Sequence, residues 1–219
     1  MTHFSDGIRV GDFFPPGLQP GVQTSPIFVY SVVPVALVAN GVATAQAVAA
    51  AGNLTLNGSL VTGGVAVFDV ARAVSVTSTN AGDTTQTATV TGFDIYGQPM
   101  TETIAFNGAA TVSGKKAFAK VTRVAISAAL AGNGSAGTTD IIGLPYDAPS
   151  RNHALTAWDG AFVTTGTFVA ADGATATATT GDVRGTYVPP TATNAARRLT
   201  VWLFILTATR ADAYGVTQA

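Results

Sequence analysis

The sequence predicts an all-β chain, an antiparallel β-sandwich or barrel of jelly-roll-like form with an extended Pro-rich N-terminal arm. Three observations carry this. The 219 residues are 47% hydrophobic but only 11% charged, against roughly 25% in ordinary globular proteins. The apolar share leans on Val and Ala with abundant Thr, residues that suit pleated, half-buried surfaces, while 24 Gly and 10 Pro supply turns. Short strand-forming runs recur at intervals of about 8–12 residues with turn signals between them, the spacing of sandwiches and barrels.

The elements follow in order. Residues 11–27, GDFFPPGLQPGVQTSPI, hold Pro15, Pro16, Pro20 and Pro26. Proline fixes φ and lacks the ladder N–H, so residues 1–26 are expected as an arm rather than a sheet strand. Phe13 and Phe14 sit on this segment, which has no core of its own, and are expected to anchor it on another surface. Residues 27–219 form the β-rich body, with a possible division into two subdomains near 147–160. IFVYSVV (27–33) reads as its first strand, and Asn40-Gly41 as a turn. ATAQAVAAAG (43–52) fits an Ala-rich helix closed by Gly52 and fits a strand equally; both alternatives stand. GVAVFDVARAVSVTST (64–79) alternates as a strand with a bulge.

Residues 85–93 and 99–106 read as a hairpin around the turn Asp94–Gln98. In the returning strand Met100, Ile104 and Phe106 share a face, on which Glu102, the only glutamate, also falls. The expected role of Glu102 is as a strand-edge partner for Lys or Arg. FAKVTRVAIS (118–127), TTDIIGLPY (138–146), AFVTTGTFVA (161–170) and ATATATTGDVRGTYV (174–188) supply further strands. In RRLTVWLFILTAT (197–209), Leu199, Val201, Leu203 and Ile205 share one face, and Trp202 and Phe204 the other. A strand apolar on both sides belongs in a sandwich interior or a subunit interface. These four residues are the expected oligomer interface.

The net charge of −1 and the lack of any long basic run argue against nucleic-acid binding, which needs clustered Lys and Arg. No cysteine is present, which excludes disulfides and thiolate metal sites. The apolar stretch 33–51 is interrupted by Pro34, Asn40, Gly41 and Gln46, so no membrane span is expected. The start MTHFSDGIRV shows no signal-peptide pattern.

GNGSAG (132–137) matches a dinucleotide-binding spacing, but strand material follows where a helix must open, so a glycine-rich hairpin loop is expected. Ser150, His153 and Asp159 lie close in sequence without a nucleophile elbow, and His153 reads as a loop histidine. Trp158 and Tyr187 read as core or interface aromatics rather than a sugar-stacking surface. No catalytic residue, metal site or cofactor is expected.

TVTGFDIYGQPMTETIAFNGAATVSGKKAFAKVTRVAIS (89–127), IIGLPY (141–146) and TTGDVRGTYVPP (179–190) together resemble structural proteins of tailed-phage virions, over roughly residues 64–205. Among these the chain looks most like a capsid decoration, or cement, protein. The resemblance implies a non-enzymatic, β-rich homotrimer, made in the bacterial host cytoplasm and bound to the major capsid protein on the capsid exterior. The proline arm departs from a compact decoration protein and implies reach between capsomers. A head-fibre, tail or adaptor protein, or a carbohydrate-binding receptor module, is the alternative.

Overall fold

The computed structural model describes residues 27–204 and 217–218. The described chain is all-β, and its strand pairs are antiparallel. The strands are β1 (Ile27–Val32), β2 (Ala43–Ala47), β3 (Gly52–Asn53), β4 (Val61–Thr62), β5 (Val65–Ser78), β6 (Thr87–Phe93) and β7 (Pro99–Ala105). They continue as β8 (Val112–Ile126), β9 (Asn133–Gly143), β10 (Ala154–Trp158), β11 (Ala161–Phe162), β12 (Thr167–Val169), β13 (Thr186–Val188) and β14 (Leu199–Phe204).

A ten-stranded sheet runs β12-β13-β9-β5-β8-β6-β7, with β2, β3 and β4 attached to β9, β8 and β5. Its long members bend through register shifts in the β5–β8, β5–β9 and β6–β8 pairs. Such bulges add twist and let a sheet curl on itself. The enclosed core contains Val74, Val76, Val90, Met100, Ile104, Phe118, Val121 and Val124. A four-stranded sheet, β1-β14-β10-β11, packs a second core against the β9 and β13 end of the larger one. There Ile142 and Tyr187 meet Trp158, Leu199, Val201 and Leu203.

The β6–β7 hairpin forms as its sequence dictates. Asp94 accepts the backbone N–H groups of Tyr96 and Gln98 on Oδ1, each at 2.8 Å, and Gly97 takes the left-handed φ of 78° that the turn requires. Burial along β7 alternates strictly, with Met100, Glu102 and Ile104 inside.

Two segments take the form that tertiary pairing imposes. Residues 43–52 hold no helix; β2 pairs with β9, and the stretch ends as β3 on β8. Ala has little strand preference of its own, so ladder bonds with neighbours decide the outcome. GNGSAG is not a hairpin loop either, because β9 begins at Asn133 and runs through it. Gly137 permits the close approach of another backbone: a Cβ there would lie 2.1 Å from the Ala39 carbonyl oxygen.

Candidate interaction surface

Leu199, Val201 and Leu203 are buried in the second core of their own chain, so the described fold already covers this expected interface face. Phe13, Phe14 and Ile205, like the whole arm 1–26, lie outside the described residues. The pattern that singled out β14 was sound in one respect: the strand is apolar on both sides. The intrachain core covers one side, and the register identifies the other.

Across the ladder, Val29 of β1 faces Trp202 of β14, which faces Leu155 of β10. Ile27 stands opposite Phe204, and Ser31 opposite Thr200, Ala157 and, on β11, Phe162. All of these point away from the second core, because cross-strand partners share a face and successive residues alternate. Phe162 is 69% exposed, Val29 52% and Leu155 42%, while Trp202, Phe204 and Ile27 are half-buried. The Phe162 and Trp202 rings meet at 5.4 Å between centroids, tilted by 44°, so Phe162 leans diagonally over Ala157. No charged side chain stands at these nine positions. Charge borders the face where β14 begins. Arg198 reaches the Ser31 hydroxyl at 3.3 Å, and Arg197 lies 4.0 Å from the exposed Asp159 carboxylate.

The Asp94 turn and the T-E-T, G-K-K and G-D-V-R-G segments do something different: they meet in a buried clasp. The Lys116 ammonium, fully buried, donates to the carbonyls of Thr101 (3.1 Å), Thr177 (2.7 Å) and Gln218 (2.7 Å). Glu102, expected at a strand edge, is 3% exposed and accepts the backbone N–H groups of Lys115 and Lys116. Burial pushes its carboxyl up to about 7 against those hydrogen bonds and the Lys116 charge. Burial likewise pushes the Lys116 ammonium down and the Asp182 carboxyl up. Asp182 accepts from the N–H groups of Ala117 (3.0 Å) and Arg184 (2.9 Å), and Arg184 pairs with Asp94 at 2.9 Å. The Asp94 turn, T-E-T, G-K-K and G-D-V-R-G segments are thus parts of one joint, which ties β7, β8, the 172–184 loop and Gln218 together. The Asp94 turn borders an open cleft of about 330 Å³, lined with it by Phe93, Ile95, Gly97, Ala119 and Lys120.

The Ser150, His153 and Asp159 groups do not converge. Ser150 Oγ lies 2.7 Å from His153 Nδ1 within one short turn. Asp159 is at the far end of β10, whose five residues extend about 17 Å. Trp158 and Tyr187 are core aromatics: Trp158 donates to the Thr191 hydroxyl at 2.8 Å, and Tyr187 to the Thr165 carbonyl at 3.0 Å. An open cleft of about 360 Å³ beside Asp140 is lined by Thr, Ser and aliphatic side chains.

No membrane-crossing helix occurs among the described residues, and they bring together no group of three or more potential metal ligands. Comparison with protein-family models, with curated proteins and with solved structures returns no match.

Proposed function

We propose that the chain is a non-enzymatic structural protein of a tailed-phage virion, which binds the outer capsid surface as a homotrimer and stabilises the shell of major capsid protein. The observation that carries the self-associating part of this reading, the homotrimer, is the uncharged outer face of the β1-β14-β10-β11 sheet, with Phe162, Trp202, Val29 and Leu155 in one apolar field and charge at its rim. Apolar centres with polar rims are the anatomy of protein interfaces. The virion part rests on the sequence resemblance. A cement protein needs no reactive centre, since several modest contacts made at once hold far more firmly than one.

The test is quantitative mass spectrometry of gradient-purified particles from the host that carries the sequence. The expected result is the chain at a fixed ratio to the major capsid protein, and its absence from particles overturns the reading. Removal of residues 1–26 is expected to lower occupancy on particles while leaving the body folded; unchanged occupancy would rule out a role for the arm.

The tilted Phe162–Trp202 pair favours a second reading, a receptor module that stacks sugar rings. A glycan-array signal lost in Trp202→Ala would support it over the capsid reading.

A further inference from the structure

We propose that the outer face of the β1-β14-β10-β11 sheet is the surface on which copies of this chain meet, so that its occupant is a second copy of the same protein. The inference deepens the structural-protein reading and rests on it for its purpose, but it is tested on the isolated protein. Its failure is therefore separate from a failure of the virion assignment.

An antiparallel sheet with one solvated face places polar residues outward. β6 and β7 obey this rule in the larger sheet: Thr89, Thr91, Thr101 and Thr103 alternate with the buried side chains. The smaller sheet breaks it. Its central row runs Val29, Trp202, Leu155 across three adjacent strands, with Ile27 and Phe204 on one side and Phe162 on the other. Within the described chain nothing covers the row, as the exposure of Val29, Leu155 and Phe162 records.

Three features favour a second copy over an unrelated partner. First, the rim holds both signs in one corner, with Asp159, Arg197 and Arg198 together. A rotation axis at this corner sets the Asp159 of one copy against the arginines of the next, so the rim is complementary to itself. Second, among the described residues β1 pairs with β14 alone and carries no charged residue. Edge strands that stay solvated are usually blunted by Lys, by inward charge or by a bulge. Third, the area is of the right order but incomplete. With six residues in β1 and β14, five in β10 and two in β11, about 4.8 Å spacing and about 3.3 Å rise give roughly 300 Å² in plan. A standard interface takes about 800 Å² from each partner, and the apolar run continues in sequence through the exposed Val33, Val35 and Leu37.

The experiment uses the full chain, whose lack of cysteine makes a single reporter thiol clean. Sedimentation at micromolar concentration is expected to give a multiple of 22.0 kDa. The doubly substituted Phe162→Glu, Trp202→Glu protein is expected to sediment as a monomer with an unchanged far-ultraviolet spectrum. Should that variant fail to fold, Leu155→Cys provides the readout. Its thiol is expected to react with maleimide about tenfold more slowly in the oligomer than after dilution to the monomer. A wild-type chain that is monomeric at micromolar concentration overturns the proposal. So does a folded double variant of wild-type mass, or a thiol shielded equally in a monomer, which would mean the chain's own remaining residues cover the face.

Discussion

The β6–β7 hairpin and the four-stranded sheet treat their outward surfaces in opposite ways. In the ten-stranded sheet the β6–β7 hairpin presents threonines outward, and Glu102, buried on its inner face, takes backbone N–H groups. In the four-stranded sheet both faces are apolar, and the described residues cover only one. One region is finished within the chain. The other ends in a surface that suits contact with another molecule. Side chains at neighbouring positions of one strand should therefore answer very differently to substitution.

The largest expected effect separates Leu203 from Trp202. Leu203→Asp places a carboxylate in the second core, at a cost of about 5 kcal/mol or more, and is expected to abolish cooperative unfolding in circular dichroism. Trp202→Asp, one residue earlier on the open face, is expected to keep the fold as a monomer and to lose the stability that the second copy supplies. A folded Leu203→Asp oligomer of native size would break the comparison.

Next comes the clasp. Lys116→Met removes the shared donor to the Thr101, Thr177 and Gln218 carbonyls and leaves the buried Glu102 carboxyl without its nearby cation. A loss of about 3–5 kcal/mol is expected in urea unfolding.

The pH response is of similar or smaller size. The Glu102 carboxyl titrates at about 7 in the fold, against 4.5 when exposed. Between those values the folded chain therefore binds more protons than the unfolded one. Its contribution is complete below pH 4.5 and is lost as pH rises through about 7, by roughly 3 kcal/mol at most. Melting temperature followed across this range is expected to fall with pH, and Glu102→Gln is expected to remove the Glu102 share of the slope, leaving that of the raised Asp182 carboxyl. Gly114→Ala should act more weakly. The new Cβ would lie 2.4 Å from Glu102 Oε2, a clash worth about 1–3 kcal/mol that the double variant with Glu102→Gln should not fully relieve.

Much of the fold was legible because alternation and turn chemistry are local. Asp94 and Gly97 marked the hairpin turn, period-two burial marked β7, and the doubly apolar β14 stood out from its residues alone. Three things were not legible. The strand β2 owes its form to its ladder with β9, which no Ala-rich segment reveals by itself. Glu102 read as a strand-edge partner for Lys or Arg because the backbone N–H groups it accepts, those of Lys115 and Lys116, arrive from a strand 13 or more residues away. The face of β14 available to a partner depended on Ile142 and Tyr187 packing over Leu199, Val201 and Leu203. The T-E-T, G-K-K and G-D-V-R-G segments gathered in the buried clasp, whereas the surface signal lay in scattered apolar residues that match no motif.

The central claim, that a second copy covers the open face of the small sheet, can be read most directly from one fluorophore. The chain has two tryptophans, and Trp158→Phe leaves Trp202 on that face as the sole reporter. At micromolar concentration Trp202 emission is predicted to be blue-shifted and shielded from iodide, and dilution should expose it. Emission that is quenched equally at every concentration would contradict the account.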